Sequence, residues 1–108
     1  RRDRTKGGVL KFAQTLRLME TVRKLKIIND LGLHARAAGK IVDLAKQYRS
    51  QLILKKDGQE VDGSSILSIL TLSCPKGTEM QARILGVDSE DFMETLARLF
   101  EQRFGEER

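Results

Sequence analysis

A chain of 108 residues, 40% of them apolar, is sized for one domain with a modest core. No stretch approaches the roughly 20 apolar residues that span a bilayer, and a single cysteine excludes an internal disulfide framework and fits a reducing cytoplasm. The net charge of +5 sits wholly in residues 1–18, where six basic residues oppose only Asp3; from Met19 onward, 14 basic and 14 acidic residues cancel.

Residues 1–18 therefore read as a basic N-terminal extension and residues 19–108 as the domain. The extension has no apolar segment long enough for a secretory signal. It reads equally as a basic arm or as residues foreign to the native chain, and Met19-Glu20-Thr21-Val22 would make a natural start. Binding to a phosphate backbone wants basic residues gathered on a folded face beside stacking aromatics. The aromatic share is only 5%, so nucleic acid is not an expected partner of the domain. A basic-arm nucleic-acid-binding module stays the alternative from a different functional class.

Val22–Ile28 combines β-branched residues with partial alternation and predicts a first strand, broken by Asn29-Asp30-Leu31-Gly32. Ala38, Ile41, Val42 and Ala45 then repeat at helical spacing, with Tyr48 closing that helix. Gln51–Lys55 and Gln59–Asp62 read as strands joined by Asp57-Gly58, a strong hairpin signal. Gly63-Ser64-Ser65 offers cap chemistry ahead of Ile66–Leu72, a short apolar helix with a buried strand as its competitor. Pro75-Lys76-Gly77 ends it either way, and Cys74 in that turn reads as a bystander. Met80, Ala82 and Ile84 alternate with polar neighbours in a fourth strand. Ser89-Glu90-Asp91 opens a last helix whose inner face is Phe92, Leu96, Leu99 and Phe100. The order is βαββαβα, an α+β domain with an antiparallel sheet covered on one side by helices.

The only histidine, His34, stands in Gly32-Leu33-His34-Ala35-Arg36 at the start of the first helix. Its position alone fits an ordinary cap or surface residue. Metal binding is weaker still, because one His and one Cys fall short of the three or four ligands of a zinc site. No nucleophile elbow or second catalytic acid accompanies it, which leaves a conventional hydrolase as the weakest reading. Phosphoryl acceptance needs only a neutral imidazole nitrogen, an open approach and donors for the anion. Helix N–H groups and Arg36 supply those donors, so the constellation points to a histidine that is itself phosphorylated.

Gly32-Leu33-His34-Ala35-Arg36, Ser65-Ile66-Leu67 ahead of Lys76-Gly77, and the βαββαβα order together resemble the HPr family. These are histidine-containing phosphocarriers of the bacterial phosphoenolpyruvate-dependent sugar phosphotransferase system, and the resemblance spans about Val22 to Phe104. It implies an HPr-like open-faced β-sandwich, with a four-stranded antiparallel sheet covered on one face by three helices. It also implies a relay: His34 accepts phosphate on Nδ1 from phosphorylated enzyme I and passes it to a sugar-specific enzyme IIA, with Arg36 stabilising the phosphate. The chain would then be a cytoplasmic, monomeric covalent carrier and not a stand-alone catalyst, with no cofactor, no metal and no membrane insertion.

By the same resemblance Ser65 is a regulatory serine, the target of an HPr kinase/phosphorylase in many bacteria, although its ordinary reading is a helix N-cap. Ile66, Leu67 and Leu70 match partner-binding positions, whose ordinary reading is core, and Arg36 and Lys40 are expected to rim that patch. One departure is Ala37, where the family usually has proline. Alanine restores an N–H at the first turn, which implies a changed transfer rate or phosphohistidine lifetime. Gly39 is expected to loosen the same turns. A nitrogen-regulatory HPr-like carrier is the alternative within the family.

Overall fold

The computed structural model describes residues 19–108, and the expected basic extension at residues 1–18 lies outside them. The elements follow in the expected order: β1 (Glu20–Lys26), α1 (Ala35–Ala45), β2 (Gln51–Lys56), β3 (Gln59–Asp62), α2 (Ile66–Leu70), β4 (Glu79–Leu85) and α3 (Ser89–Glu101). A single 3-10 turn, Arg103–Gly105, follows α3.

The strands pair antiparallel in the order β1-β4-β2-β3. Because side chains alternate along a strand, Leu52 and Leu54 of β2 and Met80, Ala82 and Ile84 of β4 all enter one face and are buried. Gln81 and Arg83 stand on the opposite face, which no helix among the described residues covers. The helical stripes complete the core from above: Ala38, Ile41 and Val42 from α1, and Phe92, Leu96 and Phe100 from α3. Each buried Val, Leu, Ile, Met or Phe side chain among them contributes about 1.5–3 kcal/mol by leaving water. Leu99 lies at the margin of this core, only partly buried.

Local chemistry explains the boundaries. Asp57 at φ +49° and Gly58 at φ +82° form the doubly left-handed turn that a two-residue hairpin requires. The Ser65 hydroxyl accepts the Ser68 N–H at 3.2 Å, and this cap decides Ile66–Leu70 in favour of helix over strand. Tyr48 lies beyond the end of α1, stacked on Phe92 at 4.6 Å between ring centroids. β1 stops before Ile27 and Ile28, yet Ile27 is held by its N–H on the Thr78 carbonyl at 2.8 Å.

The start of α3 departs from expectation. Its N-cap is Asp88, whose carboxylate makes no cap bond. That carboxylate instead accepts the backbone N–H groups of Arg49 at 2.8 Å and Ser50 at 2.9 Å, together with the Ser50 hydroxyl. It thereby ties the α1–β2 connection to α3. Ser89 is buried, and its hydroxyl pairs with Thr21 at 2.9 Å. Glu90 and Asp91 do supply the expected negative charge in the first turn.

Candidate functional site

The loop from β1 to α1 is shaped by backbone contacts that leave His34 one position. Gly32 adopts φ +71°, and a Cβ there would sit 2.6 Å from the Cys74 carbonyl oxygen and 2.9 Å from Pro75 Cα, so glycine is required. The Leu33 N–H donates to that same Cys74 carbonyl at 2.8 Å. Cys74 thus props the loop through its backbone, while burial pushes its thiol pKa up. His34 then caps α1, its carbonyl accepting the Ala38 N–H at 2.9 Å.

Both ring nitrogens of His34 are engaged. Nδ1 accepts the Arg36 backbone N–H at 3.2 Å. An N–H can only donate, so Nδ1 carries the lone pair and the neutral ring bears its proton on Nε2. That Nε2 pairs with Oε2 of Glu106. The Ala35 and Ala37 N–H groups make no hydrogen bond within the described residues, as the open end of a helix dictates. The Arg36 side chain is exposed, and its guanidinium pairs with no carboxylate among the described residues. The Nδ1 lone pair thus stands at the first turn of α1, where the Ala35 and Ala37 N–H groups are unpaired among the described residues and the Arg36 side chain is exposed.

Glu106 arrives on a strap that sequence reasoning missed. Arg103 and Phe104 at φ +55° and +56°, followed by Gly105 at +82°, turn the chain back over the loop. Phe104 is fully buried against Phe100, with centroids 4.9 Å apart. The Lys40 ammonium donates to the Phe104 carbonyl, so Lys40 anchors the strap and does not serve as the expected free rim cation. The Asp30 N–H donates to the Arg108 carbonyl at 2.8 Å. Asn29, also missed, donates from Nδ2 to the Gly32 carbonyl at 2.8 Å and to Glu106 Oε1 at 3.0 Å. Burial raises the Glu106 pKa, but the hydrogen bonds from Asn29 and His34 and the charges of His34 and Arg36 outweigh it and hold the carboxyl below its ordinary value. The signal available in the sequence was Phe104, four residues after Phe100, with Gly105 as a stop.

The second motif lies alongside. A methyl group on Gly39 would meet Ile66 Cδ1 at 3.9 Å, so α2 packs beside the opening turns of α1. Leu67 is 78% exposed and Ile66 partly so, whereas Leu70 packs on the core. Leu31 in the histidine loop, which the sequence reading left out, is 72% exposed. Ser65 is half-buried as the cap of α2, and the neighbouring Ser64 hydroxyl is spent on Asp62 at 2.6 Å. Among the described residues no three His, Cys, Asp or Glu side chains gather to hold a metal, and no helix is long and apolar enough to cross a membrane.

Comparison with known proteins identifies the family. The family model for the PTS HPr component phosphorylation site matches residues 21–102. Phosphocarrier protein HPr of Xylella fastidiosa (strain Temecula1) is 39% identical over 84 residues, which cover 78% of this chain and 94% of that protein. The crystal structure of HPr-C-His from Thermoanaerobacter tengcongensis matches with a TM-score of 0.78 at 34% identity, covering 82% of this chain and 99% of that one. An HPr dimer from the same organism matches with a TM-score of 0.64 at 35% identity, covering 76% of this chain and 94% of that one. The chain belongs to the HPr family, the phosphocarrier proteins of the phosphotransferase system, which are not catalysts by themselves.

Proposed function

We propose that His34 accepts a phosphoryl group on Nδ1 from phosphorylated enzyme I and delivers it to an enzyme IIA of the sugar phosphotransferase system. The observation that carries this reading is the division of labour on the ring, with Nε2 held by Glu106 and Nδ1 left with its lone pair. In the first transfer the Nδ1 lone pair forms the new N–P bond while the bond from phosphorus to the donor breaks. Its electron pair leaves with the donor. Nε2 keeps its proton throughout, and Glu106 faces the positive charge that develops on the ring. The Arg36 N–H must release Nδ1, and it then turns to the phosphoryl oxygens with the Ala35 and Ala37 N–H groups and the guanidinium. The second transfer is the same step run onto the acceptor.

Ile66, Leu67 and Leu70 are the partner-binding residues of this reading, with Leu67 the most exposed of them and Leu31 beside the loop. Such a small apolar patch suits brief encounters with several partners. Phosphate on Ser65, placed there by an HPr kinase/phosphorylase, would sit favourably at the start of α2 and act by repelling acidic partner groups. The carrier works as a cytoplasmic monomer of residues 19–108, with residues 1–18 as a basic appendage, and Ala37 tunes the transfer rate. Intact mass after incubation with phosphoenolpyruvate and enzyme I tests the reading. One acid-labile phosphate on the unaltered chain and none on His34→Ala is the expected result; equal labelling of both would reject it.

A further inference from the structure

Asn29 is fully buried, and its carbonyl oxygen has no hydrogen-bond partner among the described residues. An unpaired buried acceptor is costly, and that cost stands against the two bonds the amide donates. What the amide alone provides is a fork of two N–H donors. One reaches the Gly32 carbonyl inside the histidine loop, and the other reaches Glu106 Oε1 on the strap. With one carboxylate oxygen held by Asn29, the other is aimed at Nε2 of His34.

From this juxtaposition we infer that Asn29 is a positioning residue for phosphoryl transfer, acting on His34 through Glu106. The inference rests on the carrier reading above. Its logic is that of a buried group orienting the carboxylate that in turn orients a histidine. Glu106 sits near the end of a short strap and would otherwise be free to swing into water. Once Asn29 fixes it, the imidazole plane is fixed as well, and Nδ1 faces the open side where a donor approaches. The charged groups on the elements meeting here are Arg36, Lys40 and Asp43 of α1, Arg103, Glu106, Glu107 and Arg108 of the strap, and the Asp30–Lys76 pair. Among the described residues, Glu106 is the one charged side chain that hydrogen-bonds or ion-pairs with the ring.

The test is a double-mutant cycle with Asn29→Ala and Glu106→Ala, read by two observables. The first is the His34 Nε2–H resonance in proton–nitrogen spectra, and the second is the initial rate of phosphorylation by enzyme I. The unaltered chain is expected to show a downfield Nε2–H signal protected from exchange. Asn29→Ala should lose that protection and slow phosphorylation by roughly tenfold. In the Glu106→Ala background, removing Asn29 should then cost much less, because only its bond to the Gly32 carbonyl remains to be lost. An Asn29→Ala protein with an unchanged Nε2–H signal overturns the inference, and so does a rate loss that multiplies undiminished in the Glu106→Ala background. If Asn29→Ala does not fold, the Asn29 side-chain amide of the unaltered chain decides. Its protons should shift upfield in Glu106→Ala, and an unmoved signal rejects the link. An unaltered chain that takes no phosphate would defeat the carrier reading separately, leaving the Nε2–H result to stand as a structural finding.

Discussion

Phe104→Ala and Phe104→Gly remove the same ring from the strap, and the backbone ranks the two variants against the usual order. The ring is fully buried and pairs with Phe100 at 4.9 Å. Losing a buried phenylalanine side chain costs about 3–5 kcal/mol in a closed core. Here the strap can lift away and relieve the cavity, so the lower figure of about 3 kcal/mol is expected. Phe104 also holds φ +56°, where an L side chain is disfavoured by about 1–2 kcal/mol. Alanine keeps that penalty and glycine removes it, while glycine adds about 0.5–1 kcal/mol of unfolded-chain flexibility. Phe104→Gly should therefore be the more stable variant by roughly 0.5–1 kcal/mol, the reverse of helix interiors. Urea unfolding of the three proteins at one pH, analysed by linear extrapolation, measures both numbers. An alanine variant more stable than the glycine one would refute the backbone argument. Losses under about 1 kcal/mol in both would mean that the ring does not anchor the strap.

Further outcomes follow from the same contacts. Gly39 lies in helical backbone with ordinary space around an added Cβ, so Gly39→Ala should stabilise the domain by about 0.5–1 kcal/mol in the same urea assay; a destabilised variant would show that the turn needs its glycine. Hydrogen bonds from the Ser50 side chain and the Arg49 N–H hold the Asp88 carboxyl below its ordinary pKa. A depressed folded-state pKa stabilises fully above the ordinary aspartate value of about 3.9 and loses that contribution as pH falls through the folded value. Thermal melts from neutral to acid pH should consequently fall less steeply for Asp88→Asn than for the unaltered chain, and parallel curves would contradict the clamp. Leu67 is 78% exposed, so Leu67→Ser should leave stability within about 0.5 kcal/mol while weakening enzyme I binding severalfold. Unchanged affinity by calorimetry would remove Leu67 from the docking surface.

Much of the fold was legible because its signals are local. Alternation in Met80–Ile84, the helical stripe from Ala38 to Ala45, and Asp57-Gly58 each specify a period or a turn with few neighbours involved. The α2 segment was ambiguous by periodicity, and one serine cap resolved it. Ser89-Glu90-Asp91 marks the start of α3 by local chemistry, whereas Asp88 spends its carboxylate on a connection 38 residues away in sequence. No window of sequence reports that. The candidate site was legible only in part. His34 and Arg36 announce themselves by their spacing, and Ser65 by its place before an apolar run. Glu106 reaches His34 across 72 residues, and Asn29 reaches Glu106 across 77. Lys40 likewise looked like a free surface cation until the strap gave it a carbonyl. What the sequence withheld was the set of contacts made by residues 103–108 folding back over the histidine loop.

Nitrogen-15 and phosphorus-31 spectra of the ring-labelled protein, taken after incubation with phosphoenolpyruvate and enzyme I, test which nitrogen of His34 takes the phosphate in the proposed transfer. Phosphate on Nδ1, with Nε2 still protonated, is the result that the Glu106 contact requires. Phosphate on Nε2 would mean that the strap gives way during transfer and that Glu106 does not choose the reacting atom.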